Sequence, residues 1–148
     1  MADAVEIFEV GPRDGLQNEA RAIPAADKIA LVDTLSGAGF SRIEMASFVS
    51  PKWVPQMAGS GEVLRGITRA PGVRYAALTP NMRGLTDALA AGADEVAVFA
   101  WPRKGSRAPS INATIAESLA RFHAALAGRR GAGVTRARLR VLRGRMPL

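Results

Sequence analysis

Val5, Ile7 and Val10 give the first segment of the chain a partly alternating, β-branched pattern, and Gly11-Pro12 and Gly15 break it at once. That pattern predicts a strand over residues 5–10 followed by a turn. Ala25 to Ser36 then carries Ile29, Val32 and Leu35 at helical spacing, with Gly37 and Gly39 closing it. A short strand is expected over Arg42 to Ala46, then a long loop through Met57 and a short helix over Glu62 to Ile67. Val73 to Leu78 reads as a third strand. Asn81 is placed to cap a helix over Met82 to Ala91 that ends at Gly92. Glu95 to Phe99 is the fourth strand. Thr114 and Glu117 have capping-box spacing ahead of the stripe Ile115, Leu119, Phe122 and Leu126.

Strand and helix alternate four times, which predicts parallel strands joined by right-handed crossovers. A closed eight-stranded barrel takes about 250 residues, and this chain has 148. Four units therefore make a small open sheet or part of something larger. At 48% hydrophobic residues there is enough apolar material for one domain with a real core.

Composition excludes several classes of protein. There is no cysteine, hence no disulfide and no thiolate metal site. No stretch approaches the roughly 18 apolar residues of a membrane span, and the start has neither a basic region nor an apolar one of the kind that targets secretion. A cytoplasmic protein without membrane contacts is the expectation.

The formal net charge of +7 conceals two unlike segments. Residues 1–100 hold nine Lys and Arg against twelve Asp and Glu, whereas residues 101–148 hold eleven against one. Such a tail would ordinarily suggest nucleic acid. It lacks interleaved aromatics and any recognisable module, so no nucleic-acid partner is expected.

Chemistry concentrates in the first turn. Arg13 and Asp14 fall at the carboxyl end of a strand, where ligands and catalytic side chains collect in parallel α/β folds. An aspartate there can bind a cation and an adjacent guanidinium can neutralise an oxyanion. Asp and Gly are also common in turns for backbone reasons alone, so the pair could equally pin a loop.

Three segments carry a family resemblance: Gly11 through Glu19; Ile43-Glu44 with the loop Ser47 through Met57; and Leu78-Thr79-Pro80-Asn81. Together they resemble hydroxymethylglutaryl-CoA lyase over residues 5 to about 99, with the likeness resuming over 111–134. The long Ser-Phe-Val-Ser-Pro-Lys-Trp loop separates this family from sister barrel lyases that share the Arg-Asp-Gly core. The resemblance implies the N-terminal half of a TIM barrel that cleaves 3-hydroxy-3-methylglutaryl-CoA into acetoacetate and acetyl-CoA, in leucine degradation and ketone-body formation. It implies a divalent cation, Mg2+ or Mn2+, with Asp14 as a ligand, Arg13 stabilising the enolate and Glu44 as a polar active-site residue. Trp53 and Phe48 are expected to pack within their loop.

Departures from the family pattern are as informative. By the resemblance, two histidines and an asparagine from later strands complete the metal site, and a cysteine in a glycine-rich loop assists catalysis; that region is missing. His123 is expected to be an ordinary surface residue. The chain itself is therefore expected to be inactive, a fragment of a barrel lyase or an acyl-CoA-binding remnant.

Residues 101–109 depart from the family although the interval keeps the family's length, and the tail departs from Thr135 onward. With suitable codons, 101–109 spells the family's own sequence in one shifted frame, and the tail spells nearly the family's fifth strand in the other. Compensating frame changes near residues 100 and 110, and a third near 135, would explain both the charge jump and the short chain. On this reading residues 1–134 form a partial barrel domain and 135–148 a basic tail, more disordered than strand-like. The first and fourth strands would be open edges prone to self-association.

Overall fold

The computed structural model describes residues 5–100, 120, 122–124, 127 and 138–143. Five parallel strands form one sheet in sequential order: β1 (Phe8–Glu9), β2 (Arg42–Ser47), β3 (Arg74–Leu78), β4 (Glu95–Ala100) and β5 (Arg138–Arg143). Between them run α1 (Ala25–Ser36), α2 (Ser60–Gly66) and α3 (Met82–Ala91). Sequential parallel order without reversal is the winding of a barrel rather than of a doubly wound sheet. The chain is thus the opening half of such a barrel.

Helix bounds follow local signals closely. Asn81 caps α3 by accepting from the Gly84 amide at 2.9 Å. Gly92 ends it in the left-handed conformation, φ 95°, that favours glycine. The capping-box region at Thr114 lies outside the described residues. Phe122 beyond it is helical and buried, and His123 is exposed as expected.

The helices cover one face of the sheet. Val32, Val63, Leu64, Leu85, Ala88 and Leu89 from that layer meet Ile43, Met45, Ala46, Tyr75, Ala77, Val96 and Val98 from the strands. Each large side chain buried there contributes about 1.5–3 kcal/mol. In β2 the register with β3 slips between Glu44 and Ala46. This bulge turns both Met45 and Ala46 toward the helices and leaves Glu44, in register with Ala76, on the opposite face.

Three expectations are corrected. β1 is two residues long instead of six, with Val5 88% and Ile7 65% exposed, because it is an edge strand and has ladder partners only along β2. Residues 138–143, where disorder was favoured, form β5 and pair with β4 from Glu95↔Arg138 to Ala100↔Arg143. The exposed edge of β4 offers a complete ladder, and backbone pairing outweighs a mediocre side-chain pattern. The open edges are therefore β1 and β5, not β1 and β4.

Charge closes the end of the sheet at the strands' amino termini. Arg42 binds both Glu95 and Glu6, the latter at 3.3 Å, and lies over the Phe8 ring at 4.2 Å. Glu6 also accepts from Arg74 at 2.7 Å and from the Ser41 hydroxyl at 2.8 Å. One carboxylate thereby links the first segment to β2 and β3. The Ser41 hydrogen bond, followed by the two arginines, holds the Glu6 carboxyl below its ordinary value of 4.5. A depressed carboxyl contributes stability above pH 4.5 and loses it as pH falls through the lower folded value. Glu6→Gln is accordingly expected to lower Tm modestly at neutral and alkaline pH, where the charged carboxylate contributes, and so to flatten the acid side of the Tm-against-pH curve.

Candidate active site

The opposite end of the sheet carries the Arg13 turn. Instead of a simple turn, Gly11–Gly15 forms a single π-helical turn in which the amides of Arg13 and Asp14 both donate to the Val10 carbonyl, at 3.1 and 2.7 Å. Such turns cluster at functional sites because they re-aim neighbouring side chains. Pro12, with no amide to satisfy, occupies its start.

Arg13, Asp14 and Glu44 come together at this end of the sheet. The Arg13 Nε donates to Glu44 Oε1, and its Nη1 donates to Asp14 Oδ1 at 2.9 Å. The guanidinium so bridges the two carboxylates, and its Nη2 edge is engaged by neither. Burial differs sharply among the three: the Glu44 side chain is 1% exposed, that of Arg13 10%, and that of Asp14 59%. Glu44 is a buried anchor for the guanidinium, while Asp14 faces outward where a ligand can reach it.

The surrounding backbone is fixed by side chains that carry no motif of their own. Asn18 Nδ2 donates to the Asp14 carbonyl at 2.8 Å, and Glu9 Oε1 accepts from the Gly11 amide at 2.6 Å. The loop after β2 is tied back by Gln56, whose Nε2 donates to the Glu19 carbonyl at 2.9 Å. Asn18 and Gln56 lie in segments that carry the family resemblance, but sequence reasoning gave them no role, and it passed over Lys28. Lys28 had a visible signal of another kind, since it lies four and eight residues before Val32 and Ser36 on the buried line of α1.

Trp53 is 84% exposed, which overturns the expectation that it packs within the loop. Phe48 meets that expectation in part. It is half-buried against the core, its amide donates to the Leu78 carbonyl at 2.8 Å, and its carbonyl lies 2.7 Å from where a Cβ on Gly84 would fall. Glycine at position 84 is what lets α3 approach the loop this closely.

Among the described residues no group of three His, Asp or Glu side chains could hold a metal ion. Asp14 is a single exposed carboxylate with one oxygen already on Arg13, and Glu44 is committed to the guanidinium. These residues do not by themselves make a cation site.

A singly wound parallel half-barrel, with an arginine bridging two carboxylates at one end of the strands, places the chain among the barrel proteins whose sites lie at the strands' carboxyl ends. The family model described as HMGL-like matches residues 4–136, and the chain belongs to that family. It is 59% identical over 118 residues to the 3-hydroxy-3-isohexenylglutaryl-CoA/hydroxy-methylglutaryl-CoA lyase of Pseudomonas aeruginosa, covering 80% of this chain and 39% of that protein. It is 53% identical over 131 residues to the mitochondrial hydroxymethylglutaryl-CoA lyase of Bos taurus, covering 88% and 40%. The crystal structure of hydroxymethylglutaryl-CoA lyase from Pseudomonas aeruginosa superposes with a TM-score of 0.73 at 55% identity, over 93% of this chain and 45% of that one. An HMG-CoA lyase from A. baumannii, in complex with coenzyme A and 3-methylmalate, gives 0.76 at 38% identity, over 92% and 44%. The chain spans about two fifths of the length of the curated relatives it matches.

Proposed function

We propose that this chain is the N-terminal half of a hydroxymethylglutaryl-CoA lyase, able to take part in cleavage of 3-hydroxy-3-methylglutaryl-CoA only when the remainder of the barrel is present. The observation that carries the proposal is the Arg13 guanidinium, buried between Glu44 and Asp14 with its Nη2 edge engaged by neither carboxylate.

The chemistry asks for such a group. Loss of the proton from the tertiary hydroxyl lets the adjacent carbon-carbon bond break, releasing acetoacetate and leaving the electron pair on the thioester enolate. Protonation of the enolate carbon then yields acetyl-CoA. A guanidinium held in a fixed orientation stabilises the negative charge that grows on the enolate oxygen. Glu44 keeps that guanidinium in place. Asp14 would be the one residue here to hold a divalent cation, Mg2+ or Mn2+, which would supply further charge stabilisation for the enolate once the rest of the barrel brought the remaining ligands.

The same proposal covers the basic C-terminal segment, read as the product of frame changes near residues 100, 110 and 135; the domain, expected to end at 134, then extends to the strand β5 that pairs with β4. Independent reads of the DNA across codons 98–148 test it: breaks in frame at those three places support it, and one uninterrupted frame removes it. It also covers a cytoplasmic location and self-association through β1 and β5, the open edges of the sheet.

The purified 148-residue chain, incubated with hydroxymethylglutaryl-CoA and Mg2+ or Mn2+, is expected to release no acetoacetate. Turnover that survives removal of any full-length lyase and disappears in Asp14→Asn would overturn the proposal that the rest of the barrel is required.

A further inference from the structure

A buried lysine stands behind the site. Lys28 belongs to α1 and is only 6% exposed. Burial penalises its ammonium and pushes its pKa below the ordinary 10.5. Among the described residues its partners are backbone carbonyls rather than carboxylates. The Nζ donates to the backbone carbonyl of Gln56 at 2.5 Å and to that of Ala58 at 3.1 Å, at the end of the 3-10 turn Pro55–Met57. Leucine or methionine could fill this helix position without the cost of burying a charge. What the lysine adds is a donor that reaches across to the loop.

That loop has little packing of its own at its tip, where residues 50–53 are exposed. It is held at its feet instead. At the root, the Ser60 hydroxyl lies 2.7 Å from the Ser47 carbonyl and 2.8 Å from the Met57 carbonyl. At the far turn, Lys28 holds the carbonyls of Gln56 and Ala58. Gln56 passes the constraint on, because its side chain donates to Glu19 next to Asn18, and Asn18 in turn holds the Asp14 carbonyl. Lys28, Gln56, Glu19, Asn18 and Asp14 form one line of contacts from α1 to the site.

We propose that Lys28 is a positioning residue, which clamps the loop after β2 and braces the Arg13–Asp14 turn through Gln56. The clamp itself stands on geometry alone; its use in lyase chemistry rests on the function proposed above. Since the test uses no substrate, failure of the lyase assay and failure of the clamp are separate outcomes.

Amide hydrogen exchange of the whole chain tests it, read at Trp53, Val54, Met57 and Ala58, whose amides donate within the loop, and at β3 and β4 for comparison. Lys28→Met keeps the bulk of the side chain and removes the donor. It is expected to speed exchange at the four loop amides about tenfold while β3, β4 and the Tm stay as they were. Tryptic cleavage after Lys52 is expected to rise by a similar factor. Lys28→Arg retains donors and is expected to recover most of the protection. Unchanged exchange in the loop of Lys28→Met would overturn the clamp. So would a fall in Tm or loss of folding with exchange raised everywhere, because Lys28 would then serve general stability.

Discussion

Arg13→Met is expected to destabilise the chain by about 3–5 kcal/mol, a large share of the total stability of a domain this size. The cause is what the substitution leaves behind. Glu44 is 1% exposed, and without the guanidinium its carboxylate is buried with neither water nor counter-charge. Replacing both partners, in Arg13→Met with Glu44→Leu, removes the stranded charge and is expected to restore most of the loss, as exchange of a buried ion pair for apolar groups commonly does. Asp14→Asn should cost under about 1 kcal/mol, because its carboxylate is 59% exposed and its pairing with Arg13 is screened by solvent. Urea unfolding of the four chains, with equal slopes, checks the order. If Arg13→Met were as mild as Asp14→Asn, the guanidinium would not be the anchor described here.

The second large effect falls on activity. Once the barrel is completed, Asp14→Asn is expected to lower kcat by about 100- to 1000-fold while leaving the fold intact. Asparagine keeps the shape and an acceptor oxygen but removes the charge that favours a divalent cation. Higher Mn2+ should recover part of the loss if the defect is in binding the ion. A drop in kcat unaffected by metal concentration would assign Asp14 to orienting Arg13 instead.

Much of this was legible in the residues. The apolar stripe of α1 and the capped, glycine-terminated α3 marked those helices at their observed bounds, because their signals are local. Arg13 and Asp14 were legible because a glycine-rich turn at a strand end fixes where side chains emerge, whereas Glu44, within β2, was marked only by the family resemblance. Other features depend on partners distant in sequence. β1 shortened because ladder partners lie on one side of it only. β5 formed because β4 had an edge to offer. The bulge at Met45 is set by pairing with β3, and the burial of Phe48 by the approach of α3 at Gly84, which no pattern within either segment encodes. Lys28 illustrates the intermediate case: its place on the buried line of α1 was visible, its two carbonyl partners were not.

Joining residues 1–98 of this chain to the remainder of the 59%-identical Pseudomonas aeruginosa lyase, and assaying for acetoacetate from hydroxymethylglutaryl-CoA, probes the proposal at its centre. The prediction is turnover within about tenfold of the parent lyase, because on the function proposed Arg13, Asp14 and Glu44 supply this half's share of the active site. A folded, metal-loaded hybrid that releases no acetoacetate would contradict it.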